Sequence, residues 1–470
     1  MLRELALIVL FSAALDATAA LADARQDCEK LRGDAAIQAC DQAIGEFPRD
    51  ARAYDNRGAA YLAKGDLDRA IADFTKAIEI DQNYAKAWYN RGGAYVAKGD
   101  LDRAIADFTK AIEIDPKHAA VYNNRGFAYK AKGDLDRAIA DFTKAIEIDP
   151  MHAVAYNNRG NAYQGKGDLD SAIADYTKAI EIDPNNAKAR DNRGVAYQGK
   201  GDLDRAIADH TRAIEIDPKN ARGYFNRGVA YRSKGDLDDA IADETKAIEI
   251  DPKYAAAYNS RGLAYNAKGD FDRAIADYTK AIEIDPNNAR PRYNRGLAYS
   301  SKVDLDNAIA DETKAIEIDP KYVAAYNIRG NAYAAMGDLD RAISDYAKAI
   351  ELDPKNAGPY NARCWLRAIH DRDLPLALAD CDAGARLAPD NANILYSRGF
   401  VQLRLGRLDE AIADYDAALK INPRQADALY GRGLAKRKKG DQAGGDADIA
   451  AATAIQVDIA ADYARYGMGP

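Results

Sequence analysis

Apolar residues recur at three- and four-residue spacing through most of the chain, in paired short runs separated by polar breaks. In Ala85–His118, Trp88, Gly92 and Tyr95 mark one stripe, and Ala104, Phe108, Ala111 and Ile112 mark a second. That period belongs to helices buried along one side. "KGD" at Lys98–Asp100 separates the runs: Gly99 suits a turn, and Asp100 can cap the helix that follows. At the far end, Pro116 biases Asp115 away from helical geometry and suits the start of the next helix. Each such stretch is predicted to be a hairpin of two helices.

The hairpin is copied. From Ala51 the pattern returns every 34 residues through Asn356, which makes nine regular copies over 51–356. Divergent copies at 357–391 and 392–425 follow, and 426–470 holds a degenerate copy with a terminal helix expected to shield the last hairpin. Residues 23–50 read as an abbreviated N-terminal unit. One hairpin cannot bury its stripe alone, so stacked copies must bury it for one another.

The first residues are of another kind. Arg3 precedes an apolar run, Leu5–Leu15, too short to span a bilayer comfortably, and small residues follow. Residues 1–22 therefore read as a secretory signal peptide cleaved after Ala22, or after Ala19 as second choice. The expected product is a periplasmic or secreted protein with no membrane insertion after cleavage. Four cysteines, two near each end of the array, fit such a compartment as disulfides, although four permit three connectivities. A net charge of -8, with both signs interleaved in each copy, argues against nucleic acid as a partner.

Trp88-x-x-Arg91-Gly92-x-x-Tyr95, then Ala104-x-x-x-Phe108 and Pro116, resembles the tetratricopeptide repeat (TPR) signature at its period of 34. Arg91 is the one departure, standing where that family usually has Leu. The resemblance implies an all-α fold: an α-solenoid, a right-handed superhelix of stacked helical hairpins whose concave wall is lined by first helices. It also places Cys364 at the small Gly of a first helix and Cys381 at the facing aromatic of the second. Cys28–Cys40 and Cys364–Cys381 are the disulfides this favours.

Arg91 with Asp107, and Arg125 with Asp141, have counterparts in every copy. Arg363/Asp380, Arg398/Asp414 and Arg432/Asp448 keep the pair after aromatics and turn glycines have drifted, so it reads as a tie between helices. Some copies break the aromatic pattern: Arg190 and Arg292 replace the first aromatic, and His210, Glu244 and Glu312 the second. Arg292 and Glu312 are expected to form an ion pair within one hairpin. With Val303 replacing a turn Gly, residues 187–322 are the stretch expected to be least stable.

An Asn recurs two positions before the aligned Gly: Asn56, Asn90, Asn124, Asn158, Asn192, Asn226 and Asn294, with Ser260 and Ile328 as exceptions. In superhelical proteins that resemble this one, Asn at this place lines the concave wall and holds a peptide backbone, which a primary amide suits by donating and accepting at once. Two variable places share that face, and there Phe127, Val195, Phe225, Val229, Leu263, Tyr293 and Leu297 would form a discontinuous apolar strip. No phosphate loop, zinc-protease motif, nucleophile elbow or calcium loop appears, and the histidines show no ligating spacing. The reading is a non-enzymatic scaffold without cofactor or metal, binding other proteins through extended segments. The alternative is a periplasmic chaperone-like or assembly factor in envelope biogenesis or secretion.

Overall fold

The computed structural model describes residues 25–469, and the proposed signal peptide lies outside them. Every regular element among the described residues is a helix. The pattern of Ala85–Lys98 followed by Leu101–Ile114 runs from Ala51–Ala63 to Gln442–Ile455. The chain divides into two compact units, Met1–Gly235 and Asp236–Pro470, and each is a solenoid of stacked hairpins. No helix among the described residues is long and apolar enough to cross a membrane.

Local chemistry sets the hairpin. Asp100 caps the second helix by accepting from the Arg103 amide at 3.1 Å, and most copies repeat this bond. Such a cap contributes about 1 kcal/mol. Gly99 closes the turn at φ 82°, which lets the Asp100 amide reach the Tyr95 carbonyl at 2.9 Å. Val303 makes the same turn at φ 60°, a conformation that strains a β-branched residue, and its side chain is 75% exposed.

Packing within a hairpin depends on a missing side chain. A Cβ on Gly92 would lie 2.7 Å from the Phe108 ring, so only glycine admits the ring at that crossing. Buried Ala87, Ala94, Ala104 and Ala111 keep the remaining contacts close. The arginine–aspartate tie recurs along the chain: Arg91 meets Asp107 at 2.7 and 2.9 Å, and Arg125 meets Asp141 at 2.8 Å through two nitrogens. The third guanidinium nitrogen of Arg91 reaches Thr75 of the preceding copy at 3.0 Å. Cys28 with Cys40 and Cys364 with Cys381 lie at disulfide distance, which is compatible with an oxidising compartment.

The expected Arg292–Glu312 ion pair is not formed. Both Glu312 oxygens lack a hydrogen-bond partner, and so does Arg292 Nε. The reason is positional. The first aromatic place, as Trp88 shows, packs near Ala77, Ile78 and Ala87 at the joint with the preceding copy. The second lies beneath the glycine of its own hairpin, where Glu312 is 0% exposed. Burial, with Asp311 nearby, pushes its carboxyl up to about 9, so it is neutral at pH 7. His210 and Glu244 occupy the same place buried, His210 Nδ1 lying 2.9 Å from Asp191 and Glu244 meeting the Ser260 hydroxyl.

Candidate functional site

In each unit, first helices of successive copies approach one another more closely than second helices do. A stack built this way curves toward its first helices, so their shared side is the inner face. The recurring asparagines lie on that side, and the structure gives their amide nitrogens a specific task. Asn90 donates to Asp55, Asn124 to the Tyr89 hydroxyl, Asn158 to Asn123, Asn192 to Asn157 and Asn294 to Asn259, all at 2.8–3.0 Å and all 35 residues back. Asn226 is buried and donates to both oxygens of Asp191. Asn56, at the start of the array, lines an open hollow with Tyr84 and Lys86.

These bonds are staples between neighbouring copies, and the exceptions lack the amide. Ser260 stands 35 positions after Phe225, a side chain with no acceptor. Ile328 stands 35 positions after Tyr293, whose ring rests on Tyr322 with centroids 5.1 Å apart. Where Ala362 holds the donor's place, the Asn327 oxygen is left buried and without a partner. Asn158→Ala should therefore cost about 1 kcal/mol and lower the melting temperature, because the Asn123 oxygen loses its donor. An unchanged thermal melt would remove the staple.

The apolar strip has a graded exposure. Phe127 stands clear of the wall at 45% exposure, whereas Val195, Phe225 and Val229 in the first unit are half-buried. Leu263, Tyr293 and Leu297 in the second unit are half-buried too, Leu263 leaning on the cluster around Tyr278. Asn161 and Asn331, which hold Phe127's place in their copies, accept from the buried Tyr176 and Tyr346 hydroxyls at 2.9 and 2.8 Å. In the copies of Tyr278 and Tyr415 the same place is apolar, Leu263 and Phe400, and in those of Phe74, Phe108 and Phe142 it is Ala59, Gly93 and Phe127.

In the last copies the same inner positions are already covered. Trp365 and Phe400 hold Phe127's place, and Tyr396 and Tyr430 hold Tyr89's. Against them lies the chain's own end, the helix Ile459–Arg465 and the turn after it. Tyr463 packs on Tyr430 and Phe400 at 4.6 and 5.7 Å between centroids, and Tyr466 on Trp365 and Phe400 at 5.5 and 5.9 Å. Arg404 Nη1 donates to the Tyr466 carbonyl, and the Tyr463 hydroxyl to the Asp427 carbonyl. Repeat periodicity gives no sign of this, since Tyr463 and Tyr466 fall outside the last complete copy.

Tetratricopeptide repeat models match residues 119–152, 153–186, 175–208, 289–322 and 323–356. A TPR repeat model matches 58–99, 92–133, 199–232, 230–269, 262–303 and 403–440. Among solved structures, the chain is similar to yeast Tom70 at 18% identity, over 84% of this chain and 96% of that one, with a TM-score of 0.43. It is similar to a tetratricopeptide repeat protein from Parabacteroides merdae at 22% identity, over 53% and 98%, with a TM-score of 0.44. It is similar to YrrB, described as a TPR protein with an unusual peptide-binding site, at 29% identity over 39% and 95%, with a TM-score of 0.34. No curated protein matches the chain in sequence.

Proposed function

The chain belongs to the tetratricopeptide repeat family, and from that premise we propose that it holds extended segments of partner proteins against the inner face of its first helices. Repeats of this family build protein-interaction scaffolds. The observation that carries the finer reading is the inner face itself: its uniform asparagines are spent on stapling copies together, while its variable places carry apolar side chains with Phe127 the most exposed. A uniform frame with variable contacts reads a segment by its side chains, each contact adding a little. The cysteine pairs support an exported scaffold, working in the periplasm or outside the cell.

Phe127→Asp tests the reading. It removes roughly 1 kcal/mol of apolar contact from a bound segment, about fivefold in affinity, and leaves the hairpin core untouched. Partners captured from the native compartment should be reduced about fivefold at an unchanged melting temperature. Capture equal to wild type would sink the proposal.

A further inference from the structure

The covered end of the second unit extends this reading, on which it rests, to a particular ligand. Trp365, Tyr396, Phe400 and Tyr430 come from first helices of three successive copies and make one aromatic surface on the inner face. Ile459 and Tyr463 are fully buried against it and Met468 nearly so. The segment that fills the surface is a single helix of seven residues and the turn after it, with its apolar contacts at Ile459, Tyr463 and Tyr466.

The wall has its own supports beneath that segment. Arg398 holds Asp414, Arg432 holds Asp448, and Cys364 with Cys381 spans the hairpin before them. One feature works against seating: burial and Asp462 of the segment both push the Asp427 carboxyl above its ordinary range. An ionised Asp427 would face a second carboxylate there.

We propose that the inner groove of 357–455 is a docking site for a short helix of a partner protein, and that residues 459–468 are its competitor within the chain. The partner helix presents an aliphatic residue followed by two aromatic residues at the spacing of Ile459, Tyr463 and Tyr466. A partner with this pattern displaces the segment, so the groove is closed until such a helix is present in excess.

The test uses the full chain and a fluorescent peptide of the sequence of residues 456–469. Y463A/Y466A in the full chain weakens the competitor and leaves every wall residue in place. Fluorescence anisotropy should show the peptide binding this variant at least tenfold more tightly than wild type, and adding Trp365→Leu should remove the gain. No gain, or a gain that survives Trp365→Leu, overturns the proposal. So does loss of helicity in Y463A/Y466A, which would make the segment a fixed part of the core. Hydrogen exchange on the wild-type chain gives a second answer: amides of 459–466 should exchange at least tenfold faster than those of Ala392–Arg404, and equal rates refute a displaceable segment. The peptide assay needs no cellular partner and does not touch Phe127. A failure here therefore leaves the reading of the regular copies standing, and is told apart from a failure of the Phe127→Asp capture.

Discussion

Glu312→Phe is expected to stabilise the second unit and to abolish part of its loss of stability with rising pH. The glutamate stands where other copies bury a Phe or Tyr ring, and Gly296 above it still leaves the space a ring requires. Its carboxyl titrates near 9 in the fold against an ordinary 4.5. Between those values the unfolded chain is ionised and the folded one is not, so the unfolded state binds fewer protons and stability falls as pH rises. The slope is about 1.4 kcal/mol per pH unit, with full stability below 4.5 and no further loss above 9. At pH 7 the penalty is about 3 kcal/mol, and a buried ring adds packing on top. Urea unfolding of both proteins at pH 5, 7 and 9 checks this. A gap between them that stays constant with pH would refute it.

Asp107→Ala should be the most damaging single change in the regular copies. Asp107 is 5% exposed and takes two bonds from Arg91, whose third nitrogen holds Thr75 of the preceding copy. One guanidinium thus ties its own hairpin and the joint with the preceding copy. Removing the carboxylate leaves a positive charge inside the stack, at a cost of about 3–5 kcal/mol. Replacing both partners, Arg91→Leu with Asp107→Ala, should recover most of that loss, because the charge goes with its counter-ion. Thermal melts of the single and double variants measure the difference. A single variant as stable as wild type would show the tie to be ornamental.

The hairpins were legible because two periodic stripes, a turn glycine and a capping aspartate recur together, and each has one physical use. The Arg–Asp tie was legible because it outlasted the aromatics around Arg398 and Arg432. The Arg292–Glu312 pairing failed because shared membership of a hairpin does not tell which residues face each other: one place looks to the preceding copy, the other beneath Gly296. The asparagine staples were half visible. Their donors are uniform, but the acceptors are an aspartate, a tyrosine or an asparagine, and chemical variety hid the partner 35 residues away. The asparagine's recurrence was visible, but nothing in the repeat pattern said which residue of the preceding copy its amide would meet. The covering of Trp365 by Tyr466 had no periodic trace at all.

Those staples also bear on how long such a chain can become. Tyr89–Asn124, Asn123–Asn158 and Asn157–Asn192 each join an acceptor in one copy to an amide in the next. Excising or duplicating a whole copy among them again sets an acceptor before an amide. Recombination between near-identical segments can therefore lengthen or shorten this part of the array without composing a new joint. At Tyr293 the next copy brings Ile328 and no amide, yet Tyr293 carries the same hydroxyl that accepts from Asn124 at Tyr89, so a copy with the asparagine would restore the staple there.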